Sequence, residues 1–250
     1  MRTVRILPVA LVGLFALFAV EPVAAQTSIH DELITDLNTT LLYAAIPITI
    51  LVEAVLIYAV VKFRNNDDPK PTEENRRLEI TWTIATAVIL LFVGVASYQV
   101  LAVEEIGNPV ADEERLEPEV SQDLEGAVGP YEDEEDAVEI EVESFRYGWE
   151  ASYADGEVSE FDKIRIPADR PVYLHIYADD WLHMLHVPEV GIKQEANVGS
   201  YNTVKTEAYE PGSHQFYCTQ YCGVGHSQMN GEFMIMDGDD YDDWVAEQLE

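Results

Sequence analysis

Side chains that can bind a metal ion are concentrated in one short segment near the end of the chain. Within twelve residues the sequence supplies two thiols, an imidazole and a thioether, from Cys218, Cys222, His226 and Met229. These soft and borderline donors suit copper. The segment follows a predicted strand and is rich in glycine, so we expect a rigid sheet to hold it as a tight loop folded around an ion.

Each of these residues has a simpler explanation when it is taken alone. Two cysteines four residues apart in an exported domain can form a small disulfide. Zinc also binds cysteine and histidine, although structural zinc sites favour a two-residue gap between cysteines and rarely use methionine. The combination favours copper, because a further histidine donor lies upstream in the segment 180–188 and the joint pattern has no structural purpose.

The segment 137–250 has the alternating pattern of short strands. Apolar residues occupy every second position in 138–143 and again in 172–177, which indicates strands with one buried face. Turn signals separate further predicted strands at 163–166, 203–208, 214–217 and 231–236. Strands at this spacing predict a β-sandwich or a Greek-key barrel. We expect His175 and His214 on or near the exposed face and assign them no role.

Two apolar segments precede this domain. The segment 41–61 has Glu53 as its only charged residue and the segment 80–103 has none, so each can cross a ~30 Å hydrocarbon layer as a helix. The loop 62–79 contains five lysine and arginine residues and the segment 26–40 contains none, which places the loop in the cytoplasm. The pattern therefore predicts a transmembrane hairpin with both ends outside. Glu53 is costly to bury in lipid and is a functional candidate.

The first 25 residues have the features of a signal peptide. Arg2 and Arg5 precede an uncharged run over 6–20, and small residues at 23–25 suit a signal peptidase. We expect cleavage before Gln26. The alternative is an uncleaved anchor helix, for which the apolar run is short.

Acidic residues far outnumber basic ones, with 47 Asp and Glu against 14 Lys and Arg and a net charge of −33. This charge excludes a nucleic-acid-binding protein, and a hydrophobic content of 48% argues against disorder of the whole chain. The segment 104–250 contains 37 acidic and 7 basic residues, and its part 104–136 reads as a solvated acidic linker. Because salt must screen such a field to keep the domain compact, we expect a halophilic prokaryotic source.

At the candidate metal ligands the sequence resembles subunit II of the haem–copper oxygen reductases, the cytochrome c oxidase family. The loop Cys218-x3-Cys222-x3-His226-x2-Met229 is similar to the binuclear copper loop of that family, and Asp180-x2-His183 is similar to its upstream ligand motif. The resemblance extends over residues 31–241. It implies a cupredoxin-like fold and two copper ions bridged by both cysteine sulfurs. The terminal ligands it implies are His183, His226, Met229 and the backbone carbonyl of Gln220.

The same resemblance implies a function in respiration. The chain would be the electron-entry subunit of a terminal oxidase in the cell membrane, with the copper domain (137–250) on the external face. Haem and the oxygen-reducing site would lie only in the partner, subunit I, and the donor would be a small copper protein or a cytochrome c. Two alternatives remain open: a free-standing membrane-tethered copper carrier and a subunit of the nitric-oxide reductase type.

Five residues are also interpreted through the resemblance. Tyr147 and Trp149 lie in a segment that resembles the aromatic patch through which electrons enter, although core packing is an equally simple role for Trp149. Glu79 matches a glutamate at the mouth of a proton-uptake path, and an ordinary helix start is the alternative. Many family members have Glu at the position of Gln220, where the side chain helps to bind magnesium between subunits, so the magnesium site and the branch of the family stay open. His186 is interpreted as a neighbour of the copper site and not as a ligand.

Overall fold

The computed structural model describes residues 27–69, 71, 73–103, 129, 134 and 136–250. The predicted signal peptide, 1–25, and most of the predicted linker, 104–136, lie outside the described residues. Two long helices come first, α1 (Ile29–Phe63) and α2 (Arg76–Leu101). Both are long and apolar enough to cross a membrane, as the sequence predicts.

Both helices begin at side-chain caps. The hydroxyl of Ser28 accepts a hydrogen bond from the backbone N–H of Asp31 (3.3 Å), and the side-chain oxygen of Asn75 accepts one from Leu78 (3.1 Å). Acidic residues in the first turns complement the helix dipole. Helix α1 starts twelve residues before the predicted span 41–61, so most of the predicted external segment 26–40 is helical.

The rest of the described chain is a β-sandwich followed by a short helix, α3 (Gly238–Gln248). One sheet has the strand order β3-β2-β1-β5-β8 and the other the order β4-β10-β9-β6-β7. The strands are β1 (Val138–Phe145), β2 (Gly148–Tyr153), β3 (Val158–Phe161), β4 (Lys163–Pro167), β5 (Pro171–Ala178), β6 (His183–Val187), β7 (Ile192–Ala196), β8 (Asn202–Glu207), β9 (Gly212–Cys218) and β10 (Asn230–Met236). This arrangement, in which β1 pairs with β5 and β10 with β4 in parallel, confirms the expected cupredoxin-like sandwich.

The core lies between the inner faces of the two sheets. Ile140 and Leu174 from the first sheet and Phe216 and Phe233 from the second are fully buried, which is why the sequence alternates with period two along these strands. Trp149 is also buried in this core, where its ring packs edge-to-face against Phe216 at 5.9 Å between centroids.

One expectation about a histidine is wrong. His175 is buried, with an exposed fraction of 1%, although the strand pattern placed it on or near the exposed face. It does point to the outer face of the first sheet, but the ring of Tyr201 packs over it at 5.9 Å. Its ring nitrogens pair with Thr203 (2.9 Å) and Glu139 (3.2 Å), so its polar atoms are satisfied.

The first turn of α1 docks on the sandwich. The hydroxyl of buried Ser28 donates to the carbonyl of Val190 (2.6 Å), and His30 Nδ1 pairs with Thr206 Oγ1 (3.2 Å). Gly191, at φ 74°, permits this approach, because a Cβ there would lie 2.9 Å from the Cβ of His30. The domain is thereby tied directly to the first helix as well as through the linker.

Candidate metal centre

Two neighbouring strands of the second sheet supply the candidate ligands. Strand β9 ends at Cys218, and β6, its antiparallel neighbour, begins at His183. The metal-binding loop, 219–229, joins β9 to β10. It is closed at its base, because the N–H of Cys218 donates to the carbonyl of Met229 (2.9 Å). The N–H of Thr219 donates to the carbonyl of Met184 (3.0 Å), which fixes the loop to β6.

The sulfur and imidazole groups converge on one buried point. One ligand atom each from His183, Cys218 and Cys222 lies within 4.8 Å of the others. Cys218 Sγ is 4.0 Å from His183 Nδ1, and Cys222 Sγ is 3.6 Å from His226 Nδ1 and 3.9 Å from Met229 Sδ. Both cysteines are free thiols, so the small disulfide considered above is not formed here.

The loop also turns a backbone carbonyl toward this point. Cys218 Sγ donates to the carbonyl oxygen of Gln220 at 3.1 Å. The structure thus brings together the sequence-predicted donors, namely His183, Cys218, Gln220, Cys222, His226 and Met229. Two thiols, two imidazoles, a thioether and a carbonyl form a largely buried donor set, and that chemistry fits copper.

An ion-paired carboxylate orients His183. Asp180 Oδ1 lies 3.1 Å from His183 Nε2, while its Oδ2 accepts hydrogen bonds from Nε (2.9 Å) and the backbone N–H (3.1 Å) of Arg146. Burial raises the pKa of Asp180, but the bonds to His183 and Arg146 outweigh it and lower the pKa below the usual range. The resulting carboxylate favours the tautomer with hydrogen on Nε2, which leaves Nδ1 free to face Cys218.

The two thiols differ in acidity. Burial raises the pKa of both, but at Cys218 the hydrogen bonds with His183 and the backbone prevail and lower the pKa to about 7. At Cys222 burial and repulsion from Cys218 raise the pKa to about 11. A bound metal ion would supply positive charge that favours the thiolate form of both sulfurs.

His186 does not belong to the cluster. It lies three residues after His183 on β6, on a partly exposed face, whereas His183 and Leu185 face the core. Its Nδ1 pairs with the carbonyl of Ile192 (3.1 Å), and its ring packs on Tyr217 at 5.3 Å.

The two aromatic candidates for electron transfer have different positions. Tyr147 is 38% exposed and lies over the metal-binding loop, where a Cβ on Gly225 would come within 2.5 Å of its ring. Gly223, at φ 138°, leaves room for the same ring. Trp149 is fully buried, and its ring lies 6.2 Å from that of His183.

Sequence reasoning missed two residues beside the cluster. The first is Arg146, which precedes Tyr147 in the chain and forms an ion pair with Asp180. The second is Trp181, which is 53% exposed and whose ring lies 5.2 Å from the guanidinium of Arg146. The adjacency of Trp181 to the Asp180 motif was visible in the sequence, but the pairing of Arg146 across 34 residues was not. Glu79 lies apart from the cluster, in the exposed first turn of α2.

Comparisons with known proteins agree with this arrangement. Residues 19–100 match the family described as cytochrome c oxidase subunit II, transmembrane domain, and residues 131–234 match its periplasmic domain. Cytochrome c oxidase subunit 2 of Synechocystis sp. is 28% identical over 259 residues, covering 90% of this chain and 74% of the relative. The same subunit of Alkalihalophilus pseudofirmus is 28% identical over 255 residues, covering 96% and 67%.

Among solved structures, the periplasmic domain of subunit II of cytochrome oxidase from Bradyrhizobium japonicum is 17% identical. The match has a TM-score of 0.42 and covers 44% of this chain and 92% of that domain. The two family models follow one another in the order of the helices and the sandwich, and together they span most of the sequence. The chain therefore belongs to the cytochrome c oxidase subunit II family.

Proposed function

We propose that this chain is the electron-entry subunit of a terminal oxidase. It accepts single electrons from an external donor and delivers them to the haem-bearing subunit I, where oxygen is reduced to water. The observation that carries this proposal is the buried convergence of His183, Cys218 and Cys222, within 4.8 Å of one another, in a chain of this family.

The cluster would hold two copper ions, which together gain and lose one electron. They would be held by Cys218, Cys222, His183, His226, Met229 and the backbone carbonyl of Gln220. Because hydrogen bonds fix the loop to β6 and β10, its donors keep their positions when the charge of the centre changes. Such a preorganised ligand set favours fast transfer.

The chain would act only as part of a complex. Haem and the oxygen-reducing site are assigned to subunit I, and no oxygen-reducing residues are assigned here. Gln220 offers a neutral amide oxygen, which binds magnesium less strongly than a carboxylate does, so the magnesium site at the subunit interface stays open.

We place the domain on the external face of the cell membrane, with α1 and α2 as its membrane anchor. The basic residues of the loop 62–79 favour the cytoplasmic side. Removal of residues 1–25 as a signal peptide would leave a mature chain that begins at Gln26. The intact mass of the purified protein measures this, and a mass that includes Met1 would contradict it.

Electron paramagnetic resonance of the copper-loaded full chain tests the metal site. We expect two copper ions per chain and a hyperfine pattern from one unpaired electron shared by two copper nuclei. Cys218→Ser and Cys222→Ser should abolish that pattern. His186→Ala should retain it, because His186 pairs with the backbone carbonyl of Ile192 and not with a proposed metal ligand. One copper ion per chain with a single-nucleus pattern would contradict the binuclear site.

A free-standing copper carrier and a nitric-oxide-reductase-type subunit are not favoured. The relatives named cytochrome c oxidase subunit 2 align over 90% and 96% of this chain, helices included. Co-purification of a multi-helix haem subunit with the tagged chain separates the oxidase from the free carrier.

Glu79 is proposed to lie at the mouth of a proton path of subunit I. Its exposed carboxylate is in the first turn of α2, at the cytoplasmic end in the proposed topology. We expect Glu79→Gln to slow turnover in reconstituted vesicles without changing the copper content. Unaltered turnover across the pH range would leave Glu79 as an ordinary helix start.

A further inference from the structure

Two methionines of β10 lie on the outer face of the second sheet. Phe233 and Ile235 of this strand are buried in the core. Met234 and Met236 alternate with them and are only partly buried. Strand β4 runs parallel to β10, and its Arg165 stands directly opposite Met234 in the register of the two strands. The two thioethers therefore lie beside one arginine side chain.

The guanidinium group of Arg165 has strong acceptors on one side only. Its Nε and Nη2 donate to the two carboxylate oxygens of Glu160, at 2.6 and 3.1 Å. Its Nη1 donates to Met234 Sδ at 3.2 Å and to Met236 Sδ at 3.8 Å. Within the described part of the chain, these two sulfurs are the only acceptors of Nη1. A thioether is a weak acceptor, so Nη1 is the least satisfied part of the group.

The same guanidinium group lies beneath the short helix α3. Its central carbon is 4.8 Å from the ring centroid of Trp244, and that ring packs edge-to-face on Tyr153 at 5.0 Å. The side chain of Arg165 is 17% exposed, so water reaches Nη1 only in part. A stronger acceptor beside Nη1 would strengthen this contact on the outer face without entering the core.

Oxidation of a methionine supplies such an acceptor. A peroxide transfers one oxygen atom to the thioether sulfur: the O–O bond breaks, the sulfur is oxidised by two electrons, and hydrogen peroxide is reduced to water. The product is a sulfoxide, whose oxygen accepts hydrogen bonds strongly. In most cores this change disrupts packing, because an apolar side chain becomes polar. Each sulfur has two lone pairs, so a hydrogen bond from Nη1 leaves one of them open to the peroxide.

We propose that Met234 and Met236 are oxidation sites for a peroxide, and that Arg165 stabilises the product by donating from Nη1 to the sulfoxide oxygen. The domain then keeps its stability when these two residues are oxidised. Met229 of the metal-binding loop is 1% exposed and is oxidised after them. The inference is independent of the proposed function, because it involves neither electron transfer nor subunit I.

Titration of the full chain with hydrogen peroxide tests which sulfur reacts. Tandem mass spectrometry assigns each added oxygen atom to a residue. We expect Met234 or Met236 to gain one oxygen atom at peroxide doses that leave Met229 unmodified. Oxidation of Met229 before both of them would overturn the inference.

The role of Arg165 is tested by the melting temperature before and after the same peroxide treatment. Arg165→Lys keeps the charge but removes the guanidinium N–H groups. We expect the fall caused by peroxide to be larger in Arg165→Lys than in the unaltered chain by on the order of 4 °C, the effect of one unsatisfied polar group in a domain of this size. Thiols and other methionines are oxidised in both proteins, so the comparison cancels their effect. Equal falls would overturn the inference.

Two controls locate the effect. Arg170→Lys changes an arginine that pairs with Asp242 and contacts neither sulfur, and it should behave like the unaltered chain. Adding Met234→Leu and Met236→Leu to Arg165→Lys should abolish the extra fall. If the extra fall persists without these methionines, it arises elsewhere and the inference is wrong.

A variant that needs no peroxide covers the case in which Arg165→Lys does not fold. Met234→Gln places an amide oxygen near the position of the sulfoxide oxygen and leaves Arg165 in place. We expect its melting temperature to equal or exceed that of the unaltered chain, because Nη1 gains an oxygen acceptor. A lower melting temperature would show that the site does not accept a polar group and would overturn the inference.

Discussion

His183 and His186 lie three residues apart on one strand, and their hydrogen bonds give them different roles. His183 faces the core, and Asp180 holds its Nε2 so that Nδ1 points at Cys218. His186 lies on the other face and uses Nδ1 to bind the carbonyl of Ile192. His183 therefore has one ring nitrogen held and the other aimed at the site, as is usual for metal-binding histidines, and His186 does not.

Asp180→Asn should weaken metal binding while leaving the fold intact. The amide keeps the shape of the side chain but removes the charge that pairs with Arg146 and fixes the tautomer of His183. We expect copper to be lost to a chelator at least ~10-fold faster, the usual effect of losing such an outer partner. Asp179→Asn, at the neighbouring exposed carboxylate, is the control, and equal rates of loss in the two variants would contradict the assignment.

Replacing Tyr147 and Trp149 separately with Leu distinguishes contact with the donor from core packing. Tyr147 is partly exposed beside the copper loop, so Tyr147→Leu should slow electron transfer from the donor at high salt and leave stability nearly unchanged. Trp149 is fully buried, so Trp149→Leu should lower the free energy of unfolding by on the order of 2–4 kcal/mol.

The measurements are stopped-flow reduction by the donor and chemical unfolding of each variant. In concentrated salt the Debye length is only ~3 Å, so recognition of the donor should depend on short-range contacts. If neither change slows reduction while removal of surface carboxylates does, docking is electrostatic and the aromatic patch is not the contact.

At the scale of elements, strand pairing positions the metal-binding loop, and contacts with the first turn of α1 hold the sandwich against that helix. The β6–β9 pairing brings His183 next to the cysteine loop. At the N-terminal end of α1, the contacts of Ser28 and His30 with the sandwich restrict how the domain can turn relative to the first helix. Burial lowers the pKa of His30 to about 4, and this residue precedes the predicted membrane span by eleven positions.

Docking of α1 should therefore weaken at acid pH. Between pH 6.5 and about 4 the unfolded state binds a proton that folded His30 does not, so stability present above pH 6.5 is lost as the pH falls through this window. We expect the melting temperature of the full chain to fall less steeply with pH in His30→Gln. Parallel slopes for the two proteins, measured by near-UV circular dichroism, would contradict this.

At the scale of the whole molecule, charge is the dominant feature. The net charge of −33 is carried almost entirely by the segment after the helices, where few lysine and arginine side chains are present to neutralise it. The described ion pairs, such as Arg165–Glu160 and Arg170–Asp242, offset only a small part. Self-repulsion of this kind acts against the compact state.

The melting temperature should rise with KCl between roughly 0.1 and 1 M, since the Debye length shrinks from about 10 Å to about 3 Å. The triple variant Asp239→Asn, Asp240→Asn, Asp243→Asn removes exposed carboxylates of α3 and should need less salt for the same stability. Sucrose serves as a non-ionic control. An equal rise with sucrose, or no rise with KCl, would contradict the inference of a halophilic source.

Local patterns in the sequence predicted the donor residues, the sandwich and the two long helices of this protein. The spacing of Cys218, Cys222, His226 and Met229 predicted the donor set because one short loop contains four of its side chains. The two-residue period predicted the sandwich, and the uncharged runs predicted the helices, because each depends on neighbouring residues. The short strands β2, β3, β6 and β7 were not identified, since their patterns are too brief to separate from loops.

Only the tertiary structure decided which residues meet across the chain. It buried Trp149 and left Tyr147 at the surface, although the two are two residues apart. It paired Arg146 with Asp180, and His30 with Thr206, across 34 and 176 positions. Such contacts depend on how sheets and helices pack, and no period or spacing along the sequence records them.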